Sequence, residues 1–197
     1  MGILALPASL AKGEAKFVFI KKQNNISLYY RWIDLPDKRQ VRELKAELEI
    51  VSTPEEIIGV IKSEKLAMNW MKGACEVKNL EKPGNNLWHT YIQYDIPWPL
   101  SNQDCIIRYK LETVGNHHQI VMAGVPKYIS EKKDITRIQH LEGSWIIVPT
   151  NRNTCKVVYS VFSNQAPKFP RWITDPIIQG NLISTMEAFR STVEKNK

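Results

Sequence analysis

Between residues 75 and 162 the chain carries six strand-like runs in close succession, and after Asn164 its apolar spacing changes from two to three and four. The runs cover 75–81, 87–96, 104–113, 119–129, 135–148 and 155–162. Short turn signals separate several of them: Pro83-Gly84-Asn85-Asn86, Gly115-Asn116 and Thr150-Asn151-Arg152-Asn153. Parallel neighbours would need crossovers of a dozen residues or more, so this spacing predicts a mainly antiparallel sheet. Ile178, Leu182, Met186, Phe189 and Val193 then fall on one helical stripe. A stripe of that kind must be buried, and the sheet is the available surface.

The first part of the chain adds to the same sheet. Residues 17–22 and 26–33 are β-rich runs joined by Gln23-Asn24-Asn25, a short hairpin composition. In 41–52 the residues Leu44, Ala46, Leu48 and Ile50 alternate with Glu43, Lys45, Glu47 and Glu49, which predicts a strand with one wet face. Ser52-Thr53-Pro54-Glu55-Glu56 opens a helix: Thr53 can cap, Pro54 suits the first helical position, and the glutamates favour the positive end of the dipole. That helix runs to about Lys62, and a second short one lies near 66–71.

A chain of 197 residues without repeats or linker-like stretches fits one domain. Its composition, 43% hydrophobic and 24% charged, is that of a soluble globular protein, and no run approaches the roughly 20 apolar residues of a membrane span. The net charge of +7 is scattered among acidic residues, which favours solubility over nucleic-acid binding and gives only weak attraction to an anionic surface. Cys75, Cys105 and Cys155 are distant and lack C-x-x-C spacing, so they read as small buried apolar residues. No metal or cofactor is called for: His117 and His118 are adjacent and would point to opposite faces of a strand. Residues 1–16 form a separate N-terminal segment and 17–197 the domain. The run 2–11 has the apolar stretch and small-residue ending of a signal-peptide tail without its basic start, and equally suits a short element packed on the domain. The first reading places the protein in the periplasm or outside the cell, the second in the cytoplasm.

The segment Tyr94-Asp-Ile-Pro-Trp-Pro-Leu-Ser-Asn-Gln-Asp104 resembles the signature of START domains, the steroidogenic acute regulatory protein-related lipid transfer family. There a strand ends at Pro-Trp-Pro and the next begins with Arg-Asp; here Gln103 replaces the Arg. Ile26 to Arg31, Met122-Ala123-Gly124, Ile135-Thr-Arg137 through Gly143-Ser-Trp145 to Pro149, and Phe169-Pro-Arg-Trp172 resemble further family segments in the right order. The resemblance covers about residues 17 to 193. It implies a single-domain bacterial-type member of the Bet v 1-like superfamily with an α+β helix-grip fold. In that fold a curved antiparallel sheet of about nine strands wraps a long C-terminal helix, with two short helices after the third strand. It also implies a monomer that binds and transfers a lipid or other hydrophobic molecule without altering it.

With the strand faces set by that resemblance, alternation assigns the wall of an internal cavity. Thr90, Ile92 and Tyr94, then Ile107 and Tyr109, Met122, Ile138 and His140, and Tyr159 and Val161 should face the ligand. Ile173 and Ile177 start a second helical stripe continued by the small Gly180 and Ser184, which leaves room beside the helix. Some sterol-binding START domains carry a buried carboxylate and arginine at the positions of Thr90 and Tyr109; losing both leaves a consistent, more neutral cavity. Thr90, Tyr109, His140 and Tyr159 would supply the polar contacts, or else satisfy one another in a solid core. Trp98, with Leu100 beside it, either dips into a bilayer interface during exchange or packs beneath the last helix.

An enzyme is the rival class, since helix-grip relatives include cyclases and hydrolases. The chain has no G-x-S-x-G, H-E-x-x-H or Gly-rich phosphate loop, and His140 with Glu142 reads more simply as a head-group clamp than as a base and its orienter. A lipid-sensing interaction module would use the same cavity.

Overall fold

The computed structural model describes residues 15–35, 37–81, 84–96, 102–163 and 170–196. Strands β1 (Val18–Gln23), β2 (Ile26–Asp34) and β3 (Gln40–Ile50) are followed by helices α1 (Pro54–Lys62) and α2 (Glu64–Trp70). Then come β4 (Ala74–Asn79), β5 (Leu87–Tyr94), β6 (Gln103–Val114), β7 (His117–Gly124), β8 (Thr136–Arg137), β9 (Leu141–Asn151), β10 (Thr154–Ser163) and the long α3 (Arg171–Lys195). The α1 start is a capping box: Thr53 Oγ1 accepts from the Glu56 backbone N–H at 3.3 Å, while Glu56 Oε2 accepts from the Thr53 N–H at 3.0 Å.

One antiparallel sheet has the order β1-β2-β3-β10-β9-β7-β6-β5-β4, and β8 adds a short parallel pairing to the start of β6. The fold is therefore α+β, a single curved sheet gripping a long last helix. Register makes the two faces explicit, because directly opposed residues share a face. One inward row runs Trp88, Tyr109, Met122, Gly143, Val161, Leu44 and Tyr30; the next runs Leu111, Ile120, Trp145, Tyr159, Ala46 and Leu28; a third contains Ile147, Val157 and Leu48. Arg108 and Lys110 point outward into water.

Two expected strands are shorter than their apolar runs. The 119–129 run stops as a strand at Gly124, and the 135–148 run divides into β8 and β9. At the end of β8, Arg137 packs its guanidinium on the outer face of the sheet against Asp104, with Nε to Oδ1 at 2.6 Å and Nη2 to Oδ2 at 3.0 Å. It also donates to the carbonyls of Pro126 (2.6 Å), Ile129 (3.2 Å) and Ser130 (3.3 Å). Five hydrogen bonds on one side chain gather the 126–137 segment over the outer face of β5 and β6, where a continuous strand could not run. Cys75 also departs from expectation: it is exposed, because register slips between Ala74 and Glu76 and the bulge turns it out, whereas Cys105 and Cys155 are buried.

Packing changes along the sheet. Near the β1–β2 turn the interior is closed: Ile26, Leu28, Ile50, Ile147 and Val157 are buried, and Trp70, Trp145 and Phe189 form an aromatic knot with centroids 4.8 to 5.9 Å apart. Here α3 is held by Asn24, which bonds to Glu187 and accepts from Arg190, and by the Val51 N–H donating to Glu194. Its buried residues, Leu182, Ile183, Met186, Phe189, Thr192 and Val193, all lie from its middle to its C-terminal end. The N-terminal half meets the far end of the sheet differently, through an Arg42–Asp175 ion pair and Arg171 over the Trp32 ring at 4.8 Å.

Candidate functional site

The far half of the inward face carries most of the residues expected to face a ligand. Thr90, Ile92, Ile107, Tyr109 and Met122 are buried there, and Tyr94, Ile138, Tyr159 and Val161 are partly buried. Tyr94, Ile138 and Tyr159 pack against the main core, as do Leu44 and Leu141, which alternation in β3 and β9 places on the same inward face. Gly143 sits in the middle of the Tyr109 row because a Cβ there would lie 2.3 Å from the Ser160 carbonyl oxygen. The inward row thus lacks a side chain between Met122 and Val161.

Three phenols converge on this region. Tyr109 stacks parallel on Trp88 (5.0 Å, 5°) and Tyr159 leans on Trp145 (4.4 Å). Burial pushes the hydroxyl pKa values of Tyr94, Tyr109 and Tyr159 above the ordinary tyrosine range, and the neighbouring Cys105 thiol, which would repel a phenolate once it ionised, adds to the rise. Cys105, also by burial, is pushed up to about 12 and stays a neutral thiol. Among the described residues the three hydroxyls make no hydrogen bond, yet they are not fully enclosed; the enclosed atoms without a partner are Arg42 Nε, Trp70 Nε1 and Trp88 Nε1. The Thr90 hydroxyl, in contrast, donates to Asn79 Oδ1 at 2.9 Å.

These shifts set the alkaline behaviour. Folding raises the three pKa values, so the stability they contribute is complete below the free-tyrosine value of about 10 and is lost as pH climbs toward the native values. In an ultraviolet titration of the native protein, Tyr94, Tyr109 and Tyr159 should stay protonated at about pH 11 and ionise only with unfolding. Reversible ionisation of all seven tyrosines in the folded state near pH 10 would contradict their placement.

Other assignments need correction. His140 is not in the wall: its Nε2 lies 3.2 Å from Glu142 Oε1 and its ring lies against Phe162, and Phe162 and Glu142 are register partners on the outer face. The irregular residues 138–140 break the alternation that placed it inside. The buried histidine is His89, on the outer side of β5, with Nδ1 against Glu81 and its ring stacked on Tyr128 at 4.2 Å. Ile173 and Ile177, 37% and 58% exposed, lie across the helix from the Leu182, Met186 and Phe189 stripe. Ile178 does share that stripe and is still 46% exposed, so the sheet-facing side of α3 is uncovered at its N-terminal end. Trp98 and Leu100 lie outside the described residues. Among the described residues there is no group of three side chains fit to hold a metal, and no helix is long and apolar enough to cross a membrane.

No protein-family model matches the chain. An uncharacterized protein of Pseudomonas aeruginosa is 27% identical over 158 residues, which is 80% of this chain and 75% of that protein. Among solved structures, the STAR-related lipid transfer protein of Xanthomonas axonopodis superposes with a TM-score of 0.79 at 22% identity, over 90% of this chain and 98% of that one. The Zhui aromatase/cyclase of a Streptomyces species is less similar, with a TM-score of 0.56 and 12% identity over 79% and 94% of the two chains. The chain has the START-type helix-grip fold.

Proposed function

We propose that this protein is a START-domain carrier: it binds one lipid or similar hydrophobic molecule between the far half of the sheet and the N-terminal half of α3, and transfers it chemically unchanged. The observation that carries this reading is a mismatch between depth and closure. Tyr94 and Tyr159 lie deep enough for burial to raise their pKa values, yet part of their surface remains accessible. Leu44, Leu141 and Val161 around them are also incompletely covered, while the rows toward the β1–β2 turn are closed. Apolar wall, a few polar groups and incomplete protein contact are what a small hydrophobic ligand requires. The fold it shares with a lipid transfer protein supports the same reading.

The test is transfer of a fluorescent phospholipid and a fluorescent sterol between donor and acceptor vesicles. Val161→Trp, which adds neutral bulk to the partly open wall, should leave the thermal midpoint nearly unchanged and slow transfer of whichever probe is carried by roughly tenfold, equivalent to about 1.4 kcal/mol. Transfer at the wild-type rate by this folded variant would count against the site; transfer of neither probe by the wild-type protein would count against the carrier role.

A further inference from the structure

We propose that the bound molecule presents an uncharged oxygen function, a hydroxyl or carbonyl, to the hydroxyls of Tyr94, Tyr109 and Tyr159. This rests on the lipid-carrier reading above and adds the chemistry of the ligand's polar end. The inward registers of β4 to β7, β9, β10 and β3 contain one formally charged residue, Arg42. Arg42 stands at the far rim, where it is paired with Asp175 and lies over the Tyr30 and Trp32 rings. Lys62 reaches the face of Trp88 from α1, but its ammonium donates to the Asn85 carbonyl. His118, inward at the opposite end, is joined to Thr113. Among the described residues no free counter-charge therefore faces the three phenols, and a phosphate or carboxylate brought there would lose its hydration without gaining an ionic partner from them.

A neutral oxygen meets the opposite situation. Tyr109 is only 3% exposed as a residue, and its hydroxyl, which has no partner among the described residues, is not among the fully enclosed atoms, so a ligand oxygen can reach it. Its ring is fixed by the parallel stack on Trp88, and the Tyr159 ring by Trp145, so the donors are held in place before any ligand arrives. A phenol donates to a carbonyl or hydroxyl oxygen and accepts from a hydroxyl, which suits both kinds of end group.

The experiment uses the purified protein loaded with the neutral dye Nile red, and displacement by oleyl alcohol, oleate and oleyl phosphate below their aggregation concentrations. The three share one chain and differ in the end group. Oleyl alcohol should displace the dye at a concentration at least about tenfold lower than either anion. In Tyr109→Phe and Tyr159→Phe, which remove single oxygen atoms, that advantage, measured relative to each variant's own Nile red affinity, should shrink several-fold. Equal or better displacement by oleate or oleyl phosphate overturns the proposal, as does an unchanged preference in the Tyr109→Phe/Tyr159→Phe double variant, which would leave the hydroxyls to water. If Nile red does not bind at all, the proposal falls together with the carrier reading, a result distinct from binding without preference.

Discussion

Replacing Arg137 with methionine is expected to destabilise the protein by about 3–5 kcal/mol, the typical cost of removing one partner from a buried ion pair. Both side chains of the pair are almost fully buried, 0% for Arg137 and 1% for Asp104. The variant strands the Asp104 carboxylate beneath the 126–137 segment and removes the donors to the Pro126, Ile129 and Ser130 carbonyls. Urea denaturation should show the loss as a lower midpoint at similar slope. Amide exchange in 126–135 should rise more than in β3 or β10, because the guanidinium holds that segment. Asp104→Leu combined with Arg137→Met should recover a large part of the loss, since a pair replaced by apolar side chains leaves no orphan charge. If Arg137→Met alone costs less than about 1 kcal/mol, the pair is not the anchor described here.

The second large effect distinguishes the two ends of the interior. Phe189→Ala removes the ring that touches both Trp70 and Trp145 and should cost about 3–5 kcal/mol, lowering the thermal midpoint by roughly 10 °C. Leu141→Ala, in the partly open wall, should cost about 1 kcal/mol, because less covered surface and fewer contacts are lost. A Leu141→Ala loss as large as that of Phe189→Ala would mean that the far half is packed as tightly as the rest.

Much of the fold was readable from alternation because register repeats it faithfully: Leu44, Ala46, Leu48 and Ile50 face inward opposite Val161, Tyr159, Val157 and Cys155. The helix start at Thr53 and the buried stripe from Leu182 to Val193 were equally direct. The misplacements have local causes. Nothing in the spacing of 135–148 shows that Arg137 will be buried against Asp104, 33 residues away, or that the strand will be interrupted at 138–140, and the face given to His140 depended on its continuing. Ile173 and Ile177 could not fix a helix face, since Gly180 and Ser184 continue their stripe without an apolar preference. The inward-facing residues on regular strands, Tyr94, Tyr109 and Tyr159 among them, could be assigned a face from alternation alone, whereas the partners of their hydroxyls could be read only from packing.

Native mass spectrometry of the protein purified without detergent tests the central claim most directly. The account predicts a species heavier than the chain by one small apolar molecule, which solvent extraction releases and a supplied lipid restores. A single bare mass, together with failure to take up any supplied lipid, would contradict it.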